Sequence, residues 1–293
     1  MIRVFPRKTK WTPDDDLAFV GDPGLFRPEI QPVKISCTFT WDIPETERLY
    51  RSWSAYYPDV EIGGPAFGDP GGAFTPGLFV KEGVTITSRG CSKYCDWCFV
   101  PRREGWIREL PIMDGWDLAD NNLLACSRPH VERVFEMLKN QPEPIRFSGG
   151  LDSDMLQQYH VDLLKTIRLK FAWFACDYPG AIQSLERTAD LMSDFSREKK
   201  RCYVLIGFNG ETPAQAEKRL EAVYNLDFLP MAMLFRDNKI TTPFVSRDWQ
   251  SLRRTWSRPA AYKAKMANKS LNSDVELSPG LQTAASRAPI NAG

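Results

Sequence analysis

Histidine is scarce in this chain: 293 residues contain two, His130 and His160. A Cys₂His₂ zinc site therefore has little to draw on, and no second Cys or His couple stands at the spacing a closed structural zinc site uses. No apolar run approaches ~20 residues, so a transmembrane helix is not expected. The opening MIRVFPRKTKWTPDDD lacks the continuous apolar core of a signal peptide. Charge of one sign is also missing: the net is +1, and no global field draws in nucleic acid. The glycines of GGPAFGDPGGAF never reach G-x-G-x-x-G ahead of a helix, which argues for a turn-rich connector rather than a phosphate cradle. Seven cysteines occur, but not as a secreted disulfide framework, so a reducing cytoplasm is the expected location.

What is present is an ordinary globular composition, 43% hydrophobic and 26% charged, with one concentrated feature. Cys91, Cys95 and Cys98 follow C-x₃-C-x₂-C within TSRGCSKYCDWCFVPRREG. Thiolate-rich sites select zinc or iron–sulfur clusters over hard cations. Three thiolates on one loop suit a [4Fe–4S] cube, which takes four ligands and would keep one iron open to something that is not protein. A zinc knuckle lacking a ligand is the bland alternative. Cys37, Cys126, Cys176 and Cys202 are expected as free buried thiols. Cys176 ends one strand and Cys202 begins another, which would put them at opposite ends and leave no second cluster.

Residues 1 to about 30 are rich in Pro, Gly and Asp and are expected to wrap the surface irregularly. A small β-α-β unit follows: a strand over Val33–Trp41, a helix over Pro44–Tyr57 and a strand over Asp59–Gly64. From Gly83 strands and helices alternate. Strands are expected at Val84–Gly90, Pro144–Gly150, Phe171–Asp177, Cys202–Phe208 and Met231–Asp237. Ser127 caps one helix. Met155, Leu156, Tyr159, Leu163 and Ile167 share the inward face of the next. Ile182, Leu185, Ala189 and Met192 point inward from a third, and Thr212 with Gln215 forms a capping box. Repeated β-α units mean parallel strands and an α/β barrel or part of one, with its site at the strands' carboxyl ends. Cys91, Gly149, Gly150, Asp177 and Gly207 all fall there. Trp249, Leu252 and Trp256 belong to a closing helix. The expected organisation is an extension over 1–82, a core over 83–245, a closing helix and basic segment over 246–270, and a disordered tail over 271–293.

With Trp97 directly before the third cysteine, the loop resembles the C-x₃-C-x-aromatic-C signature of the radical S-adenosylmethionine (radical SAM) superfamily. FSGG (Phe147–Gly150) resembles that family's GGE(P) motif on the second strand, whose backbone receives the methionine amino group of SAM. YVLIGFNGET resembles the later G-x-I-x-G-x-x-E motif, with Leu205, Ile206 and Gly207 at matching positions and Glu211 one place late. The resemblance covers roughly half the chain and implies an α/β fold, a partial (β/α) barrel of radical SAM type behind a small N-terminal β-α-β extension. It implies a [4Fe–4S] cluster on Cys91, Cys95 and Cys98. SAM would lie against Trp97, Ser148, Gly149, Gly150, Asp177, Leu205, Ile206 and Gly207. The activity implied is reductive cleavage of SAM to a 5′-deoxyadenosyl radical that abstracts hydrogen from a substrate. A flavodoxin- or ferredoxin-like donor would supply the electron.

The chain departs from the family pattern in places. Leu151 stands where the motif glutamate belongs, with Asp152 next to it. Five core strands are visible where the family has six; the strand bearing the usual ribose contact is merged or missing, and Asp177 substitutes for it. Trp97 has the alternative role of a core aromatic. The upstream EIGGPAFG resembles the tail of a cobalamin-type Rossmann domain, but D-x-H-x-x-G is absent, so base-off cobalamin binding is not expected. Glu104 and Arg108 are expected to pair in solvent. Arg253, Arg254, Arg258, Lys263, Lys265 and Lys269 form a run without acids, either a solvated face or a phosphate-binding strip. A small molecule, a peptide or RNA all remain open as substrate, with no membrane partner. The competing class is a non-enzymatic Fe–S or zinc module serving as scaffold or electron carrier.

Overall fold

The computed structural model describes residues 1–236 and 246–276, with side chains as far as Lys269. The first element is a buried strand, β1 (Ile2–Phe5), followed by β2 (Ala18–Val20) and β3 (Val33–Ser36). Then come helix α1 (Ile43–Ser54) and β4 (Val60–Gly63). They form a four-stranded parallel sheet in the order β2-β1-β3-β4. Ile2, Val4, Val33, Ile35, Leu49, Trp53 and Tyr57 make its own core. The irregular wrapping expected of residues 1–30 is thus wrong for IRVF, which is a central strand. Its alternation is hidden because both faces are covered. Even Arg3 is buried, donating to the carbonyls of Gly77 and Leu78 at 3.0 and 3.1 Å. A strand buried on both sides carries no period-2 signal.

The second unit begins with β5 (Val84–Thr85) and β6 (Ser88–Arg89). It continues through α2 (Val100–Glu104), β7 (Arg108–Glu109), β8 (Asp117–Leu118) and α3 (Arg128–Lys139). Next are β9 (Ile145–Phe147), α4 (Gln158–Lys165), β10 (Leu169–Ala175) and α5 (Ala181–Leu191). β11 (Lys200–Ile206), α6 (Pro213–Asn225) and β12 (Leu229–Leu234) complete the sheet, and α7 (Arg247–Trp256) and α8 (Pro259–Glu276) follow. The sheet has six parallel strands in the order β12-β11-β10-β9-β8-β5, with β5 and β12 at its edges.

Consecutive parallel neighbours joined by right-handed crossovers put the linking helices on one face. There Leu118, Phe147, Phe174, Val204 and Ile206 pack with Val131 and Phe135 of α3, Leu185 of α5 and Leu220 of α6. The alternate positions carry Asp117, Arg146, Phe171, Trp173, Arg201 and Tyr203 on the other face. The Trp173 and Tyr203 rings stack there at 4.0 Å.

Two expectations about strands need correction. The sheet has six strands, not five, because β8 is only two residues long and carries no periodicity. FSGG therefore follows the third strand of the sheet, not the second. Val84–Gly90 is also not one strand. It breaks after Thr85, and Ser88–Arg89 pairs antiparallel with β7. The cause is the Asp120 carboxylate, which takes the Thr87 N–H at 2.7 Å and the Thr87 and Ser88 hydroxyls at 2.6 and 2.7 Å. Those bonds pull the chain out of the ladder.

The Ser127 and Thr212 caps form as expected. α4 starts later than expected, at Gln158, and buries His160, Val161 and Leu164 rather than Tyr159. The segment expected to close the chain is two helices, the second running to Glu276 and so through the first residues assigned to a tail. Asp237, the boundary at residue 245 and the rest of the expected tail lie outside the described residues.

α4 opens on a capping box unseen in the sequence: the Gln157 N–H donates to His160 Nδ1 at 3.0 Å. His160 is 2% exposed, and its Nε2 has no partner. Burial, with the Arg128 charge nearby, pushes it down to about 4 from the usual 6.5. The unfolded chain therefore takes up a proton that the folded chain refuses. Stability is full above pH ~6.5 and falls as pH drops toward ~4, by up to roughly 3 kcal/mol. Urea midpoints measured from pH 7 to 4.5 should fall steeply for the natural chain and less for His160→Gln; equal slopes would remove His160 as the cause.

Candidate functional site: a thiol loop at the carboxyl edge of the sheet

The thiol loop leaves β6 through Gly90, whose φ of +81° suits glycine. A Cβ there would lie 2.2 Å from the Trp106 carbonyl oxygen, so the loop also needs that close approach. The Cys91 N–H donates to the Gly105 carbonyl at 3.2 Å and the Cys98 N–H to the Cys95 carbonyl at 3.0 Å. Cys91, Cys95 and Cys98 are free thiols, each half-buried. They lie close enough to feel one another's charge. Cys95 is pushed up to about 11, first by burial and then by Cys98 and Cys91. Burial raises Cys98 as well. As thiolates the three repel, and a bound cation relieves that penalty. The donor set therefore fits a thiolate-bound metal group. Among the described residues no group of three or more His, Cys, Asp or Glu side chains is drawn together as a site for a single metal ion.

The next strand ends face this loop. After β8, Asn122 is buried and its Nδ2 donates to Cys91 Sγ at 3.6 Å and to Asp152 at 3.1 Å, while its Oδ1 has no partner. After β9, Asp152 accepts from Lys93 of the thiol loop at 2.7 Å, and Asp154 accepts from the same ammonium at 2.6 Å. Lys93 thus straps the loop to the β9 end. The sequence had no signal for Asn122, since the strand delivering it is too short to recognise. Lys93 and Asp154 are recognisable only as charges in loops.

Ser148 and Gly149 both donate backbone N–H bonds to the Leu118 carbonyl, at 2.8 and 2.9 Å. The Ser148 hydroxyl is buried without a partner. A Cβ on Gly149 would sit 1.9 Å from the Asp120 carbonyl oxygen, so glycine there is a packing requirement. Gly150 differs: its φ is +101°, and a Cβ there would make only an ordinary contact with the Trp173 carbonyl oxygen, at 3.9 Å. Leu151, at the place of the motif glutamate, is 3% exposed and belongs to the core.

Trp97 reaches from the loop across the ends of β10 and β11. Its ring lies 5.9 Å from Tyr178 and 5.5 Å from Phe208. Its indole lies near enough to Asp177 to favour that carboxylate, which takes the Leu205 N–H at 3.1 Å. Burial raises Asp177 despite these donors. Leu205 is half-buried, Ile206 is wholly inside the helix-side core and can offer a ligand only its backbone, and Gly207 turns with φ +77°. The site residues expected from the sequence therefore meet along one edge, with the Ile206 side chain turned away from it.

Glu211 is structural. It accepts the Gly207 N–H at 2.9 Å and pairs with Arg219, which is buried and also donates to the Cys176 and Leu205 carbonyls at 2.9 and 2.7 Å. Glu104 is also not solvent-paired: it is 5% exposed, holding Arg103 at 2.6 Å and the Gly90 N–H at 3.2 Å. Arg108 donates to the Pro70 and Gly71 carbonyls at 3.2 and 3.3 Å. Cys176 and Cys202 are not at opposite ends. β11 is staggered so that Cys202 pairs with Phe174, and each buried thiol lies in the other's vicinity. Half of the basic run is neutralised: Lys263 meets Glu198 at 3.3 Å, Lys269 meets Glu221 at 2.6 Å, and Lys265 meets Glu217.

No protein-family model matches the chain, and no curated protein matches it. No helix among the described residues is long and apolar enough to cross a membrane.

Glu211→Ala should lower the unfolding free energy by about 3–5 kcal/mol, because it leaves the Arg219 guanidinium buried without its carboxylate. Urea denaturation measures this directly. A loss below about 1 kcal/mol would mean that the pair does not hold the β11 turn.

Proposed function

We propose that the chain is a radical SAM enzyme that cleaves S-adenosylmethionine reductively and abstracts hydrogen from a substrate. The observation that carries this is the convergence of the three-thiol loop with four strand ends at the carboxyl edge of one parallel sheet. A metal staple alone has no need of the Gly150 turn, the half-buried Asp177 or the Gly207 turn. In this proposal the strands, with helices on one face, form the partial (β/α) barrel, and the polar and aromatic face is its lumen.

Cys91, Cys95 and Cys98 would hold a [4Fe–4S] cluster with one iron left for SAM. When bound, the cluster and SAM supply the electron transfer and bond cleavage; the protein binds, aims and excludes water. Gly150 presents backbone to the methionine end without a side chain in the way. Asp152 is the carboxylate next to Leu151, which stands at the place of the motif glutamate, and Lys93 and Asn122 hold it. Trp97 and Gly207 would take the adenine, with Asp177 toward the ribose. A cytoplasmic setting and a flavodoxin- or ferredoxin-like electron donor follow from the same proposal.

After anaerobic reconstitution with iron and sulfide, the natural chain should show broad visible absorption. With SAM and dithionite it should release 5′-deoxyadenosine. Alanine at Cys91, Cys95 or Cys98 should abolish both. Tightly bound zinc without iron in the native protein would overturn the proposal. An intact cluster that yields no 5′-deoxyadenosine would leave a non-enzymatic Fe–S module instead.

A further inference from the structure

A cavity of about 790 Å³ lies where the N-terminal sheet meets the start of the larger one. Its wall is built from the carboxyl ends of β1, β3 and β4, at Phe5–Arg7, Ser36 and Gly63–Gly64, closed by Ile86, Arg89 and Ala119 of the core. The order β2-β1-β3-β4 means that the chain leaves β1 to one side and returns on the other. Between β1 and β3 lies a topological switch point, the place where open parallel sheets leave a crevice for ligands. The cavity sits there, within the size range of small-molecule sites.

Its lining is mainly apolar, including Phe5, Phe39, Ile62, Phe79, Val80 and Ile86. Two of its cations are neutralised: Arg7 pairs with Asp42, and Lys34 meets Glu61 at 3.2 Å. Lys10 lies over the Trp11 ring at 4.8 Å. Arg89 is different. Its one acidic neighbour among the described residues, Glu104, is 3.9 Å away and already holds Arg103 at 2.6 Å, so two guanidiniums share one carboxylate. The Arg89 side chain makes no hydrogen bond among the described residues, and its Nε is buried without a partner. Gly71 leaves the guanidinium room, since a Cβ there would come within 2.9 Å of Nε. Asp69, the remaining acid of the lining, accepts the Gly71 N–H at 2.8 Å. A four-fifths buried guanidinium without a full counter-charge is costly unless an anion completes it, and its planar fork matches carboxylate or phosphate.

We infer that this cavity binds a small apolar, ring-bearing molecule with one anionic group, and that Arg89 receives the anion. The site stands on the cavity and Arg89, not on the chemistry of the thiol loop, so it can be tested without cluster or SAM. Arg89 is two residues before Cys91, so a ligand held here would lie beside that loop.

Two fluorescent probes separate charge from shape: 8-anilino-1-naphthalenesulfonate, and N-phenyl-1-naphthylamine, which has the same rings without the sulfonate. Titrated into the full chain, both should bind saturably at one site. Arg89→Met, which keeps the unbranched stem, should weaken the sulfonate probe at least tenfold and leave the neutral probe within twofold. Val80→Trp, which fills the cavity, should abolish both; Ala119→Phe replaces it if the circular dichroism of Val80→Trp shows loss of fold. An unchanged sulfonate affinity in Arg89→Met overturns the inference, as does an equal loss of both probes. Binding that survives a folded cavity-filling variant places the probes elsewhere and overturns it too.

Discussion

The Asp120 carboxylate is 2% exposed and is surrounded by neutral donors: the Thr87 amide and the hydroxyls of Thr87 and Ser88. Burial raises its pKa against the lowering effect of those bonds. Its position joins three strand ends. The side chain holds the segment between β5 and β6, the backbone continues β8, and the carbonyl oxygen lies against Gly149 after β9. The thiol loop starts three residues beyond Ser88, so the direction in which Cys91 leaves the sheet depends on this contact. Hydrogen bonds to a charged acceptor contribute about 1.5–3 kcal/mol each, and several are needed to offset the desolvation of a carboxylate. Those bonds also explain why β5 and β6 are two short strands: the amide that would continue the ladder is committed to Asp120.

A second polar staple holds the other half of the edge. Arg219 reaches from α6 beneath the ends of β10 and β11, donates to the Cys176 and Leu205 carbonyls, and pairs with Glu211. Glu211 in turn takes the amide of Gly207. The turn after β11 is therefore set from below, by charges that face the protein rather than a ligand. Above it, Trp97 and Asp177 link the thiol loop to the same strand ends. Buried carboxylates, each satisfied locally, fix the edge at both halves and leave the glycine turns free of side chains.

How much of this was legible depended on element length. β10 and β11, at seven residues each, gave clear β-rich runs, and the Thr212 box fixed the start of α6 to the residue. β8 has two residues and passed unseen, and with it Asp120 and Asn122, which follow directly. IRVF was hidden for another reason, being covered on both faces beside Pro6. The thiol triad was legible because its spacing is local in the chain. Its surroundings were not, because Lys93 meets Asp152 and Asn122 meets Cys91 only through the crossovers. Glycines misled in part: Gly149 and Gly150 look alike in sequence, yet one is held by packing against Asp120 and the other by its backbone angle. Glu211 likewise sat one place off a ligand motif because it serves the turn.

The two sheets are coupled through Arg89, Gly90 and Glu104. Glu104 takes the Gly90 amide and Arg103, fixing the root of the thiol loop, while Arg89 lines the cavity beneath the N-terminal sheet. Arg108, on the strand paired with β6, donates to the connector backbone at Pro70 and Gly71. The turn-rich connector thus forms part of the cavity wall and is tied to β7, the strand paired with β6. Asn121 donates to Glu104 as well, so one carboxylate holds Arg103, Asn121 and the Gly90 amide, with Arg89 3.9 Å away. The cavity wall and the root of the thiol loop are therefore built on one shared carboxylate.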